Sequence, residues 1–523
     1  MNEVGMSGAP AGAGTAPDPK ARIPRQIRYI IGNEGCERFS FYGMRNILTV
    51  FLVTSLLTYL PEGDRASAAK DVFHTFVIGV YFFPLLGGWL ADRFFGKYNT
   101  IFWLSLVYCL GQLCLALFVT NRTGFYVGLS LIALGSGGIK PCVASFVGDQ
   151  FDQTNKHRAK VVFDAFYWII NFGSFFASLL MPIFLRSLGP AIAFGIPGVL
   201  MFISTFVLWI ARKSYVMLPP ASPNPHSFLN ICRTALISGT SGRGLAITAA
   251  AAAIGSFLLM PKFGFVIAAC LALVAVIGFG GIGVSLQLEA VRGKHPDEAI
   301  AGVRSVLRVL VLFALVTPFW SLFDQKASTW VLQADAMTKP SWFQSSQMQA
   351  LNPALVMLLI PFNNLVFYPA LRRFGIEVTA LRRMTAGIAF AGLSWIVVGV
   401  MQVVLDGGNT FSITWQVLPY AFLTLGEVLV SATGLEFAYS QAPMAMKGAL
   451  MSFWLLSVTI GNLWVLVVNA GVKNDAVIDF IKSSGFGVTA FQMFFFAAFA
   501  FAAALAFGLV ARIYPVKDYY RKA

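Results

Sequence analysis

Apolar residues along this chain fall in long blocks rather than in alternation. About fourteen blocks reach the ~20 residues that a helix needs to cross the hydrocarbon core of a bilayer. They lie at about 28–59, 72–93, 98–119, 124–147, 160–186, 190–212, 244–261, 264–288, 302–335, 349–371, 379–404, 413–438, 446–471 and 489–513. A membrane β-barrel would show ~10-residue stretches of alternating polarity, and the sequence contains none. The pattern predicts an all-α polytopic membrane protein.

The longest polar interruption runs from Arg212 to Gly244 and carries Pro219, Pro220, Pro223 and Pro225. It reads as a linker between two six-helix blocks. The next two apolar segments hold no internal charge except Lys262 in the tight turn between them, so they are expected to form a peripheral hairpin with nothing to offer a polar substrate. The expected plan is a disordered tail over 1–27, a six-helix bundle over 28–212 and a linker with an inserted hairpin over 213–301. A second six-helix bundle over 302–513 and a short tail over 514–523 complete it. Two six-helix halves around a midplane cavity are the major-facilitator arrangement. Gly87-Gly88-Trp-Leu-Ala-Asp92-Arg93-Phe-Phe-Gly96-Lys97 is similar to the loop motif of that superfamily. Its small residues allow close helix approach, and Asp92 and Arg93 are expected to latch neighbouring helix ends.

The first apolar block is unusual in its charges. Glu34, Glu37, Arg38, Phe41, Tyr42 and Arg45 recur at helical spacing and form one stripe. Four ionisable groups on one face of a spanning helix each cost several kcal/mol against lipid, by rough estimate, so they must line a wet interior. A helix-packing salt bridge needs only one such pair. Other polar groups lie deep in apolar blocks: Lys140 within Gly135-Ser-Gly137-Gly138-Ile-Lys140-Pro141, Asp324 after Phe319-Trp320-Ser-Leu-Phe323, and Glu427 after Leu425-Gly426. His74 stands at the expected start of the second span, where it reads as an interfacial hydrogen-bonder or a proton carrier. Fixed acids in both halves, with Lys and Arg, suit a zwitterionic cargo. They also suit proton coupling, because a buried carboxylate binds a proton readily unless a cation faces it.

Composition narrows the class. The 523 residues are 57% hydrophobic and 12% charged, with net charge +15. With both termini inside, 25 of the 38 lysines and arginines fall on the cytoplasmic side and 8 outside. This is the positive-inside pattern, so the basic excess sets topology and meets anionic lipid and points to no nucleic-acid partner. The six cysteines show no disulfide framework and no CxxC spacing. Residues 1–19 lack the apolar core of a signal peptide. There is no HExxH, no GxSxG and no cluster of metal ligands, so an enzyme is not expected.

Together these segments resemble the proton-dependent oligopeptide transporter family, over nearly the whole chain. The similarity is carried by Glu34-x-x-Glu37-Arg38, by Gly-Ser-Gly-Gly-Ile-Lys140-Pro-Cys-Val-Ala-Ser-Phe-Val-Gly-Asp149-Gln150-Phe151, by Phe319-Trp320-x-x-Phe323-Asp324-Gln325, and by Gly434-Leu-Glu436-Phe-Ala-Tyr439-Ser-Gln441-Ala-Pro443. The two helices after the sixth span resemble an insertion common in bacterial members. The resemblance implies a symporter that imports di- and tripeptides across the bacterial inner membrane by alternating access. It would work as a monomer, with both termini cytoplasmic, the proton as coupling ion and no cofactor. It implies that Arg38, with Lys140, receives the peptide carboxylate and that Glu427 receives its amino group. Tyr42, Tyr81, Asn171, Asn352 and Trp454 would line the cavity, and Glu34 and Glu37 would carry the proton. Arg45 and Asp324 would pair as the outer gate, with Asp324 and His74 also in the proton path. Phe41 stands where many relatives have a second Tyr, and Lys326 adds a charge beside Asp324. Peptides share a cationic amine and a carboxylate, and extended chain spans ~3.3–3.6 Å per residue; a fixed separation of opposite charges therefore limits length. A drug–proton antiporter would share the loop motif but not these charges, a nitrate carrier of the same family is the nearer rival, and a receptor would bind peptide without moving it.

Overall fold

The computed structural model describes residues 22–516 apart from 153–154, 156–157, 221–223, 376–377, 442 and 444–445. Of the expected tails at 1–27 and 514–523, residues 1–21 and 517–523 lie outside the described residues, and Ile27 already belongs to the first helix. Six long helices come first: α1 (Ile27–Phe51), α2 (Glu62–Leu90), α3 (Lys97–Leu117), α4 (Arg122–Asp149), α5 (Ala159–Leu188) and α6 (Pro190–Ile210). A short helix α7 (Phe228–Ser238) leads to a hairpin of α8 (Thr240–Phe257), α9 (Met260–Phe263) and α10 (Phe265–Gln287). The second half holds α11 (Asp297–Asp324), α12 (Thr329–Asp335), α13 (Leu351–Phe362), α14 (Tyr368–Arg373), α15 (Ala380–Asp406), α16 (Val417–Glu427), α17 (Thr433–Ser440), α18 (Lys447–Gly471), α19 (Asp475–Ser483) and α20 (Val488–Ile513).

Among the described residues, 13 helical spans are long and apolar enough to cross a membrane. The expected fourteenth is present as α8, but it opens with Thr240-Ser-Gly-Arg243, which dilutes its apolar run. Two hydrophobic cores organise the bundle. One gathers side chains from Ile27 to Tyr215, with Ala327 from the second half, the other from Phe228 to Phe507. A small third cluster of Ile78, Ile267, Cys270, Leu463 and Leu466 seats the hairpin on α2 and α18, one helix from each core.

Small residues set the closest crossings. A Cβ at Gly87 would lie 2.0 Å from the Gly137 carbonyl oxygen, and one at Gly135 would lie 2.7 Å from the Tyr108 backbone nitrogen. The glycine run before Lys140 therefore lets α4 lie against both α2 and α3. Two expectations change here. Pro61 and a polar first turn with Glu62 and Asp64 start α2 well before the apolar block, so His74 sits about three turns inside the helix and is 0% exposed. Asp92 and Arg93 are exposed. The ion pair that ties this loop to a neighbouring helix is Lys97 with Asp149, at 2.6 Å.

Candidate binding and coupling site

Three charged groupings occupy the interior. On α1, Arg38 Nε lies 2.6 Å from Glu34 Oε1 and 2.9 Å from Glu37 Oε2. Glu34 and Arg38 are an i, i+4 pair on one helix face, and the neighbouring Glu37 carboxylate reaches the same guanidinium nitrogen. Among the described residues, Glu34 Oε2 and Glu37 Oε1 are buried without a hydrogen-bond donor. Lys140, on α4, places Nζ 4.3 Å from the centroid of the Phe41 ring and 4.1 Å from that of Tyr81. A cation held over two ring faces is attracted by their quadrupoles, so Phe41 serves here through its ring, without a hydroxyl. Tyr42 is half-buried and meets Phe41 edge to face.

The second grouping belongs to the other half. Lys326 Nζ donates to Asn352 Oδ1 at 2.8 Å, and Asn352 Nδ2 donates to Glu427 Oε2 at 2.5 Å and to Thr424 Oγ1 at 3.1 Å. Lys326 also lies over the Phe323 ring, 3.1 Å from its centroid. Asn352 thus separates an ammonium from a carboxylate and satisfies both. Glu427 is the last residue of α16, directly before a π-helical turn at Val428–Ala432; such turns re-aim the residues beside them. Trp454 on α18 is 5% exposed and packs edge to face on Phe313 and Trp320. Asn171 donates to the Tyr167 carbonyl one turn below it.

The third grouping joins the halves near the end of the bundle that carries the 57–61 loop, here called the distal end. Arg45 Nη2 lies 2.6 Å from Asp324 Oδ1. The other Asp324 oxygen accepts from Asn462 Nδ2 at 2.8 Å. Asn462 Oδ1 meets His74 Nδ1 at 2.6 Å, and His74 Nε2 meets Ser328 Oγ at 2.9 Å. Because the Asn462 amide nitrogen is committed to Asp324 and to the Val458 carbonyl, its oxygen faces the ring, which assigns the proton of His74 to Nδ1. Thr49 donates to the Ala327 carbonyl, Gln349 to that of Asn46 and Gln347 to that of Leu179. These contacts close the distal seam.

Lys326 is expected beside Asp324, but its contact is with Asn352. Asn462 and Ser328 escape notice in the sequence. Their signal is faint: an Asn two turns after Trp454 in an apolar helix, and a Ser three residues after Gln325.

Fold and interior charge define a polytopic membrane protein of the major-facilitator class. The chain belongs to the POT family, whose model matches residues 98–482. An in meso crystal structure of the POT family transporter PepTSo superposes with a TM-score of 0.94 at 63% identity, over 96% of this chain and all of that one. A crystal structure of an auto-inhibited POT family peptide transporter gives 0.93 at 63% identity, over 96% of this chain and 99% of that one. Solute carrier family 15 member 2 of Rattus norvegicus is 34% identical over 401 residues, 73% of this chain and 50% of that protein. The chain spans about half the length of the curated relatives it matches.

Proposed function

We propose that the protein is a proton-coupled symporter that imports di- and tripeptides across the bacterial inner membrane by alternating access. The observation that carries this reading is the division of charge: an Arg38–Glu34–Glu37 cluster with Lys140 in one half and Glu427 with Asn352 in the other. Arg38 and Lys140 on one wall and Glu427 on the other suit the two ends of a zwitterionic peptide, provided a proton offsets Glu34 or Glu37 and Asn352 keeps Lys326. In this reading Arg38 and Lys140 meet the carboxylate and Glu427 meets the amine, with Tyr42, Tyr81, Asn171 and Trp454 along the walls. The amine would take the Asn352 amide's place on Glu427, leaving Asn352 to Lys326.

Glu34 and Glu37 share one guanidinium, so that trio carries a net negative charge until a proton is taken up. The second groups of proton carriers would be Asp324 and His74, whose contacts also shut the distal seam. The distal end would then face the periplasm and both termini the cytoplasm, which the excess of cytoplasmic Lys and Arg supports. Driving uptake on the membrane potential is worth about 2.3 kcal/mol per charge per 100 mV. Peptide similarity enters through the relatives: two are described as POT family transporters, one of them a peptide transporter.

The test is uptake of labelled dialanine into proteoliposomes with pH gradient and potential set independently. Accumulation driven by an inward proton gradient is expected. Binding without accumulation would make the protein a receptor, and counterflow by unlabelled nitrate but not by peptide would make it an anion carrier.

A further inference from the structure

At the distal end, the hairpin does not lie flush on the bundle. A groove of about 450 Å³ opens between the turn at Lys262–Gly264 and the ends of α2 and α18. Its floor is apolar, with Phe263, Val266, Ile267 and Leu466. Its rim carries Lys262 and Lys473. Lys473 is half-exposed and bonds Asp71 at 2.6 Å. The other Asp71 oxygen takes the Asn469 amide, so the acid at the rim is already occupied. Lys262 projects from the turn and is exposed, near the Phe263 ring, 5.3 Å from its centroid. Leu258, Leu259, Met260 and Phe265, at the same tip, are large and exposed apolar side chains.

We infer that this groove binds one anionic glycerophospholipid. With Lys473 paired to Asp71, the Lys262 ammonium leaves the rim one net positive charge to meet a phosphate monoanion, the apolar floor matches an acyl chain, and the exposed apolar tip opens the groove toward lipid rather than toward water. A head group with its own ammonium would meet Lys262 with like charge, which favours phosphatidylglycerol over phosphatidylethanolamine. The groove's bundle walls are α2 and α18, one from each core, so a lipid seated there spans the seam and favours the arrangement in which those walls are at this spacing. That last consequence rests on the alternating-access reading; the binding itself does not.

Native mass spectrometry of the purified chain in detergent, titrated with phosphatidylglycerol, phosphatidylethanolamine or soluble glycerol phosphate, tests it without any transport measurement. The wild type should retain one phosphatidylglycerol most tightly. Lys262→Gln should weaken that retention about fivefold, the effect of one basic residue on an anionic lipid, and Ile267→Glu, which charges the floor, should abolish it. Lys482→Gln, at an exposed lysine that does not line the groove, should change nothing. Equal retention by wild type and Lys262→Gln would overturn the site. Competition by glycerol phosphate as strong as by the lipid would overturn the lipid assignment in favour of a free phosphate ester.

Discussion

Replacing Asp324 by Asn probes the distal seam with almost no change of shape. The side chains of Arg45 and Asp324 are 6% and 3% exposed, so the guanidinium has no water to fall back on. Removing one partner of a buried ion pair costs about 3–5 kcal/mol, mainly through the charge left unpaired. That cost falls only on the conformation in which the two groups meet. At ~1.4 kcal/mol per decade, the closed seam should lose roughly two to three and a half decades of preference over an open one. Ala327 reports on this directly, because it comes from the second half yet packs, 0% exposed, among side chains of the first core. In an Ala327→Cys background, labelling by a membrane-impermeant maleimide, corrected for the native cysteines, should accelerate at least tenfold on adding Asp324→Asn. Combining Arg45→Asp with Asp324→Arg should slow labelling again relative to either single reversal. Unchanged labelling in Asp324→Asn would refute the claim that this pair holds the seam, as would a double reversal no slower than the faster single one.

Three further outcomes are expected. Glu34→Gln or Glu37→Gln should abolish uptake driven by a proton gradient while sparing exchange between equal peptide pools; normal accumulation in both would remove these residues from the proton path. Glu427→Gln should weaken dialanine several-hundredfold or more, since a buried pair broken on one side costs about 3–5 kcal/mol, whereas N-acetylated dialanine, which has no ammonium, should bind poorly to the wild type and lose little more. Equal inhibition of uptake by free and acetylated dialanine in both proteins would exclude the amine role. In the linker, His226 and His295 share a hydrogen bond between their Nδ1 atoms at 3.0 Å, which needs one ring to be unprotonated; burial, then the charges of His226 and Lys294, push His295 below its ordinary value. A folded value below the unfolded one of about 6.5 means the contact's stability is present above that pH and is lost as pH falls through the depressed value. Proteolysis of the 213–240 segment, normalised to denatured protein at each pH, should therefore be faster at pH 5 than at pH 7.5, and His295→Asn should flatten the difference; a wild type with no pH difference would rule the contact out as a switch.

The helices and the α1 stripe are legible in the sequence because both are local: block length decides spanning, and 3.6-residue spacing decides that Glu34 shares a face with Glu37 and Arg38. Lys140 is legible for the same reason, since Gly137 and Gly138 announce a close crossing before it. What escapes is set by segments far apart in the chain. His74 is read at an interface because hydropathy cannot see the polar first turn of α2, and its partners Asn462 and Ser328 come from the other half. Lys326 sits two residues from Asp324, but the 3₁₀ turn at Gln325–Ala327 turns it to Asn352. The loop motif suggests Asp92 or Arg93 as the latch, whereas the end of α4 presents Asp149 to Lys97.

The π turn after Glu427 makes the chain's length part of its chemistry. Such a turn holds one residue more than the α-helix would. Losing a single residue between Val428 and Ala432 would let α16 and α17 fuse into regular helix, and everything on one side of the junction would rotate by about 100° against the other. Glu427 would then fall out of phase with Gly434, whose missing side chain leaves room for the Trp454 ring, 2.3 Å from where a Cβ would stand. In this segment, sequences that keep every polar residue but differ by one in spacing would present a different face to the bundle interior.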